Sequence, residues 1–184
     1  AASGREQVTL GSGGSGGAEG SVIRVATAAE RAEWDAYVAA RPDAAGYHEW
    51  AWRDVFERAF GHASHYLIAR NESASVAGIL PLTEIRSRIF GRSLTSLPFV
   101  NFGGVLADSP DVARALVDEA GRLAVERGSR HVELRHIARQ FDHLPVKQHK
   151  VTMRLGLRGL EVTEGTEVAE RTLWDRIDRK ARNQ

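Results

Sequence analysis

Residues 78–104 read GILPLTEIRSRIFGRSLTSLPFVNFGG, and this stretch decides the class of fold. Its apolar runs, rich in isoleucine, leucine and valine and separated by turn residues, predict strands at 76–85 and 93–97. A preceding run at 65–69, joined by an Asn-Glu-Ser turn, pairs with the first of these as an antiparallel hairpin. Pro81 lies inside the longer strand, which predicts a bulge or an edge position there.

Helical patterns lie on both sides of these strands. A short strand at 22–25 is followed by a capping box formed by Thr27 and Glu30, which starts a first helix. The second helix is predicted from an apolar stripe of helical spacing at Trp52, Val55, Phe56, Ala59 and Phe60. Ser109-Pro110-Asp111 is typical of a helix start and predicts a third helix, which ends at Gly128. Further strands are predicted at 132–134 and 151–155, and a last helix from Arg171.

The element order is therefore β-α-α-β-β-β-α-β, then a loop and a further strand. Hairpin strands followed by one crossover helix predict a mixed α/β domain, with a central, mostly antiparallel sheet flanked by helices. We place this domain at 21–158. Residues 1–20 are rich in glycine and serine and are predicted to be a disordered leader or linker, native or engineered. Residues 159–184 are interpreted as a linker and helix.

Composition excludes several classes of protein. The 184 residues contain no cysteine, which excludes a disulfide scaffold, a thiolate zinc site and a cysteine nucleophile. The seven histidines show no metal-ligand spacing, so no metal is expected. A net charge of +1 gives no argument for a partner such as DNA, another nucleic acid or a membrane surface. No apolar run approaches the roughly 20 residues of a membrane span, and we expect a cytoplasmic protein.

Local sequence also carries a family resemblance. GILPL at 78–82, FGRSLTSLPF at 90–99 and NFGG at 101–104 are similar to a succession in FemAB-like transferases, and LWDRIDRKARNQ at 173–184 resembles a helix of that family. FemAB-like proteins have two tandem domains of the GNAT acyltransferase fold, which the element order here also matches. The resemblance implies that this chain is the N-terminal domain and that a C-terminal GNAT-like domain is missing.

The resemblance implies a function for the whole protein. An acyl or aminoacyl group would pass to an amine on a cell-wall (peptidoglycan) or exopolysaccharide precursor. Acetyl-CoA and aminoacyl-tRNA are the candidate donors, and no cofactor is certain. Two alternatives stay open, a stand-alone GNAT N-acetyltransferase that uses acetyl-CoA and a non-catalytic domain that binds the acceptor. A separated half would expose apolar surface, so a homo-oligomer with contacts at Trp174 and Ile177 is compatible with the sequence.

The turn Asn101-Phe102-Gly103-Gly104 is the principal candidate site, with Phe99 beside it. Acyl transfer needs backbone N–H groups that stabilise the developing oxyanion, and glycines let the backbone approach a ligand closely. We assign Asn101 to catalysis and the other four residues to substrate binding. The alternative is a tight turn that needs glycine for a positive φ. The interval lacks the basic first residue of a pyrophosphate-binding loop, which argues against coenzyme A.

Other candidate residues lie outside this turn. His48 is a candidate base and Trp50 a substrate contact; the alternative is a surface histidine and a tryptophan that packs at the helix start. Glu133 could deprotonate an amine and Arg135 could hold a carboxylate, the alternative being an internal ion pair or a solvated sheet face. Gln148, within the run Lys-Gln-His-Lys, could meet a phosphate or sugar, although such runs are commonly solvated.

Overall fold

A computed structural model describes residues 4–8, 21–89 and 91–147 of the chain. The chain divides into two compact units, Ala1–Thr152 and Met153–Gln184, and all described residues belong to the first. Several predictions lie outside the described residues, namely those on Gln148, the strand at 151–155, and the last helix with Trp174 and Ile177.

Three α-helices and nine strands make up the described part of the chain. The helices are α1 (Arg31–Ala39), α2 (Ala51–Ala59) and α3 (Pro110–Glu126), with short 3-10 turns at Ala28–Glu30 and Gly46–His48. The strands are β1 (Gly4–Val8), β2 (Val22–Val25), β3 (Leu67–Arg70), β4 (Val76–Leu80), β5 (Thr83–Ser87), β6 (Gly91–Thr95), β7 (Leu106–Ala107), β8 (Val132–His136) and β9 (Val146–Lys147). The protein is therefore of mixed α/β class, as the sequence predicts.

The strands form two sheets, where the sequence predicted one central sheet. The first, in the order β2-β3-β4-β7, is antiparallel throughout. The second, in the order β5-β6-β8-β1-β9, is mixed because β6 and β8 run parallel. The predicted strand 76–85 is divided at Pro81 and Leu82, and its halves β4 and β5 belong to different sheets. Proline cannot donate to a ladder, so the chain leaves the first sheet there.

The first strand corrects the prediction of a disordered leader for residues 4–8. Gly4–Val8 pairs along its whole length with β8, from Gly4 opposite His136 to Val8 opposite Val132, and its other edge pairs with β9. The sequence Arg-Glu-Gln-Val contains no glycine and precedes the glycine-serine run, so it can enter a ladder at no special entropic cost. The partners come from the far end of the domain, which local composition does not reveal.

Helix α3 forms the centre of the larger core cluster and packs on the first sheet. The face predicted for it is buried, namely Val112, Leu116, Ala120, Leu123 and Ala124. Gly78 of β4 makes this packing close, since a Cβ there would lie 2.9 Å from a Val112 methyl group. A glycine at this point of the sheet lets the helix approach the strand backbone.

A second cluster lies under α1 and α2. Trp34 stacks on Tyr66 with ring centroids 4.9 Å apart, and Phe56 is also buried. The apolar stripe predicted for α2 is only partly enclosed, since Val55 and Phe60 are exposed. No helix in the described part of the chain is long and apolar enough to cross a membrane.

Candidate functional site

The predicted turn lies in a loop whose backbone is hydrogen-bonded to the side chain of Arg135. This side chain rises from β8 and is only 8% exposed. Its Nη1 donates to the carbonyl oxygens of Leu97 at 3.2 Å and Val100 at 2.8 Å, and its Nε donates to Glu133 Oε1 at 2.8 Å. Glu133 and Arg135 thus form the internal ion pair that the sequence left as an alternative, and the guanidinium anchors the loop.

The two glycines of the turn are required because neighbouring side chains leave no room for a Cβ atom at either position. A Cβ at Gly103 would lie 2.5 Å from a Leu97 methyl group, and one at Gly104 would overlap the His136 ring. The interpretation that the turn needs glycine for a positive φ is wrong, because positive φ values occur instead at Leu97 (51°) and Phe99 (68°). The glycines let the loop pack directly onto β8.

One backbone N–H group of the turn, and another directly after it, are engaged within the protein. The Gly103 N–H donates to the Arg135 carbonyl oxygen at 3.1 Å, and the Val105 N–H donates to His136 Nε2 at 2.9 Å. The Gly103 amide is therefore committed to β8 in this state, whereas the oxyanion role predicted for the turn needs a free N–H group.

His48 is buried beside the same turn, at 5% exposure. Its Nδ1 lies 3.1 Å from the Ala45 nitrogen and 3.2 Å from the Ala45 carbonyl oxygen, so it accepts from the N–H when unprotonated and donates to the carbonyl when protonated. Burial lowers the pKa of the ring, although the Ala45 and Gly104 backbones favour its protonated form; neighbouring His136 lowers the pKa further. Nε2 makes no hydrogen bond of ordinary geometry even with the Gly104 backbone close by. The surface position considered as an alternative is wrong, and His48 is a neutral, enclosed ring.

Trp50 belongs to the core. Its ring meets those of Trp34 and Tyr66 edge to face, with centroids 5.6 Å and 5.4 Å apart. The backbone N–H of Trp50 donates to Asp35 Oδ1 at 2.7 Å, and this hydrogen bond fixes the start of α2. Trp50 therefore packs at the helix start, which was the alternative considered from the sequence. Because its ring is enclosed, the prediction that it contacts substrate is wrong.

Phe99 and Asn101 are the accessible members of the predicted site. Phe99 is 68% exposed, and its ring centroid lies 5.2 Å from that of Phe60. Asn101 is exposed, while half-buried Phe102 packs edge to face on Tyr47 with centroids 5.5 Å apart. The loop therefore presents an aromatic and an amide side chain to solvent above a fixed backbone.

A cavity of about 470 Å³ lies where the chain passes from this loop into α3. It is lined by Asp43, Val105, Ala107, Asp108, Ser109, Pro110, Ala113, Arg114, Gln140, Phe141, Asp142 and His143. It adjoins the predicted turn through Val105, and through Phe141, whose ring centroid is 5.7 Å from that of His136. None of the predicted site residues in the described part of the chain lines it, and only the Ser-Pro-Asp helix start gave a signal for it.

Carboxylates dominate the polar lining of the cavity. Arg41 donates to Asp43 at 2.9 Å and to Asp108 at 2.7 Å, and the Tyr37 hydroxyl donates to Asp108 at 2.8 Å. The hydrogen bond from Arg41 lowers the pKa of Asp43, which keeps it ionised. Burial and the bond to Asp108 raise the pKa of Tyr37, so its hydroxyl remains a donor. Asp142 is exposed at the rim.

Among the described residues no group of three or more histidine and acidic side chains is arranged to hold a metal ion.

Comparisons with known proteins give little support for any family. No family model and no curated protein matches the chain. A similar solved structure is that of a functionally unknown conserved protein from Staphylococcus epidermidis ATCC 12228, with 14% identity and a TM-score of 0.40. The match covers 73% of this chain and 51% of that protein, so the chain spans about half of its length. Similarity at this level carries no argument about fold or function.

Proposed function

We propose that this chain is the N-terminal, GNAT-like domain of a FemAB-like acyl- or aminoacyltransferase that works in the cytoplasm. Its own part is to bind the acceptor, an amine-bearing cell-wall or exopolysaccharide precursor. The sequence resemblance at 78–104 supports the family. The observation that carries the binding role is the cavity of about 470 Å³ with Asp43, Asp108 and Asp142 in its wall.

Positioning, rather than proton transfer, is the task that suits the predicted residues. Glu133 is paired with Arg135, and His48 is enclosed with a lowered pKa. Direct attack of an amine on an activated acyl carbon requires no enzyme nucleophile, but it requires the amine to be held in place. A domain whose polar groups support a rigid loop and a cavity can meet that requirement.

The charge of the cavity favours an amine as its ligand. Its volume is within the roughly 300–1,000 Å³ typical of ligand sites. Arg41 offsets part of the charge on Asp43 and Asp108, and Arg114 pairs outward with Asp111. Asp142 is fully exposed at the rim, and its carboxylate lies 3.5 Å from Arg139 Nε. Because such an exposed ion pair is weak, an ammonium group can compete with Arg139 for this carboxylate. Such charge-assisted hydrogen bonds are shorter and stronger than neutral ones.

One observation favours the second candidate, an acetyltransferase that binds acetyl-CoA. The cavity lies at the N-terminus of the 17-residue helix α3, where the helix dipole attracts anions. However, Pro110 has no N–H to offer, and Ser109 Oγ already accepts the Val112 N–H at 3.3 Å. The three aspartates would also repel a pyrophosphate, so the amine acceptor is the better fit.

Calorimetric titration can separate the two candidates. The probes are a peptide with a free lysine ε-amino group, the same peptide with that amine acetylated, and acetyl-CoA. We expect the free amine to bind roughly tenfold more tightly than its acetylated form, as for one hydrogen bond to a charged group. Asp142→Asn should remove most of this preference, whereas Asp118→Asn, on an exposed part of α3 away from the cavity, should not.

Two outcomes would count against the proposal. Binding of acetyl-CoA without preference for the free amine would favour the acetyltransferase. Binding of neither ligand, with both variants folded by circular dichroism, would remove the cavity as an acceptor site.

A further inference from the structure

The hairpin of β5 and β6 carries an exposed concentration of positive charge. Arg86, Arg88 and Arg92 lie on or beside its strands, and Arg127 and Arg130 follow the end of α3. All five side chains are exposed. We refer to these five residues as the arginine patch.

Backbone contacts bring the two parts of the arginine patch together. Arg86 and Arg92 are direct cross-strand partners. Arg92 Nη1 donates to the Arg127 carbonyl oxygen at 3.2 Å, and the Arg130 N–H donates to the Arg92 carbonyl oxygen at 2.8 Å. The Arg130 guanidinium lies over Gly91, where its Nε would be 3.0 Å from an added Cβ. The patch is therefore one continuous surface.

The charge of this surface is only partly neutralised. Like charges directly opposite each other in an antiparallel ladder are destabilising. Glu84 contacts both members of the pair, at 2.7 Å from Arg86 Nε and 4.0 Å from Arg92 Nε. Its side chain is 0% exposed and is also shared with His65 at 3.3 Å. Exposed Glu126 lies next to Arg127 in sequence. Together, Glu84 and Glu126 can offset at most two of the five positive charges of the arginine patch.

An apolar side chain stands at the tip of the same hairpin. Ile89 is 81% exposed, the highest value among the large apolar side chains described, and it follows Arg88 in sequence. A bilayer interface accommodates both features, because an apolar side chain can enter the acyl boundary while arginines remain among anionic headgroups. A nucleic acid would engage the arginines through its phosphates but would leave the isoleucine in water.

We propose that the β5–β6 hairpin and the arginine patch dock this protein on an anionic lipid surface, with Ile89 inserted at its tip. The inference rests on the hairpin and the arginine patch and does not depend on the proposed function. Each basic side chain near an anionic leaflet increases partitioning by roughly fivefold, so the patch can supply reversible peripheral binding.

Vesicle sedimentation with the full chain tests the proposal. The vesicles contain either phosphatidylcholine alone or a mixture with about one third phosphatidylglycerol. We expect binding to the anionic vesicles at least tenfold tighter than to the neutral ones, and weaker binding in 0.5 M salt because the screening length shortens. The double variant Arg86→Gln/Arg92→Gln should weaken binding roughly 25-fold, from two contributions of about fivefold each.

Matched controls remove equivalent groups elsewhere. Arg31→Gln/Arg58→Gln removes two exposed arginines from α1 and α2, and it should leave vesicle binding within about twofold if the patch is specific. Ile89→Ser should weaken binding severalfold even in high salt, whereas Val22→Ser, an exposed residue of the other sheet, should not. Thermal unfolding of each variant confirms that it is folded.

Three results would overturn the proposal. The first is equal sedimentation with neutral and anionic vesicles. The second is unchanged anionic binding in the folded Arg86→Gln/Arg92→Gln variant. The third is vesicle binding that Ile89→Ser leaves unchanged and that is abolished by duplex RNA at equal phosphate concentration. This result would assign the arginine patch to a nucleic acid.

Discussion

Arg135 donates through Nη1 to the carbonyl oxygen of Val100 at 2.8 Å, so a buried side chain of β8 fixes the loop chosen from the sequence as the candidate site. The same group bonds Leu97, and the two contacts flank Phe99, whose φ is 68°. Such a conformation costs a non-glycine residue roughly 1–2 kcal/mol. The hydrogen bonds from Arg135 therefore keep exposed Phe99 in a strained backbone conformation. Without them we expect the loop to relax to another conformation.

Removal of this anchor should loosen the loop. In Arg135→Met the carbonyl oxygens of Leu97 and Val100 and the Glu133 carboxylate lose this buried donor, and we expect a loss of about 3–5 kcal/mol in the free energy of unfolding. Urea denaturation measures it. Hydrogen exchange at the Gly103 amide, which donates to the Arg135 carbonyl, should accelerate as well. Arg114→Met, which breaks an exposed pair with Asp111, is the control and should cost less than about 1 kcal/mol. Equal losses in both variants would contradict the anchoring role.

The absence of a side chain at Gly104 should also be important for the stability of the protein. Gly104→Ala places a Cβ into the His136 ring and 3.0 Å from the Arg135 carbonyl oxygen, so the ring must release the Val105 N–H. We expect a loss of roughly 2–3 kcal/mol, in the range for overpacking. Thermal unfolding is the measurement. Gly46→Ala is the matched substitution, since its nearest neighbour would lie at 3.7 Å, and it should be nearly neutral. An unaffected melting temperature in Gly104→Ala would show that the loop is not packed on β8.

Glu30 should make stability fall in acid. Burial raises its pKa, but hydrogen bonds from Arg24, the Thr27 N–H and Arg70 outweigh this and lower the pKa from 4.5 to about 2. Its contribution is present above pH 4.5 and is lost as the pH falls towards 2, and it amounts to at most about 3 kcal/mol. In Glu30→Gln we expect a loss near this size at pH 7 and little difference from the unmodified protein near pH 2, by urea denaturation.

Glu33→Gln is the control for that experiment. Glu33 shares Arg70 with Glu30 at 2.6 Å but is 56% exposed, so its pair should contribute less than about 1 kcal/mol. If the two variants lose the same free energy, the buried hydrogen bonds of Glu30 do not account for the stability.

His48 should add a second dependence on pH. Burial lowers its pKa from 6.5, so just below that pH the unfolded chain binds a proton more readily than the folded chain does. Stability should therefore fall as the pH drops below 6.5, at up to about 1.4 kcal/mol per pH unit. We expect melting temperatures of His48→Asn to fall less between pH 7.5 and 5.5 than those of the unmodified protein. Exposed His143→Asn should keep the full dependence, and an identical slope in all three proteins would contradict the prediction.

Part of this architecture could be predicted because its causes are local. The capping box at Thr27, the serine cap of α3 and the spacing of its buried face each depend on residues within one or two turns. Strand β8 was also predicted from its alternation of apolar and polar residues. The glycines at 103 and 104 were predicted to let the backbone approach a ligand, whereas in the structure they pack against Leu97 and His136 of the protein itself.

Other features depend on distant parts of the chain. The pairing of Gly4–Val8 with β8 joins segments more than a hundred residues apart, and no local pattern in either strand indicates the other. The burial of His48 follows from its contact with the loop at Gly104, and the cavity combines Asp43, the start of α3 and the segment at Phe141.

The sequence by itself therefore determined the three helices of the described part, several of its strands and its mixed α/β class, because capping, periodicity and turn chemistry act over a few residues. The tertiary structure decided which sheet each strand joins, which charged groups neutralise each other and where the cavity opens. These outcomes follow from packing and hydrogen bonding between segments such as β1 and β8, whose mutual distance is set only when the whole domain has folded.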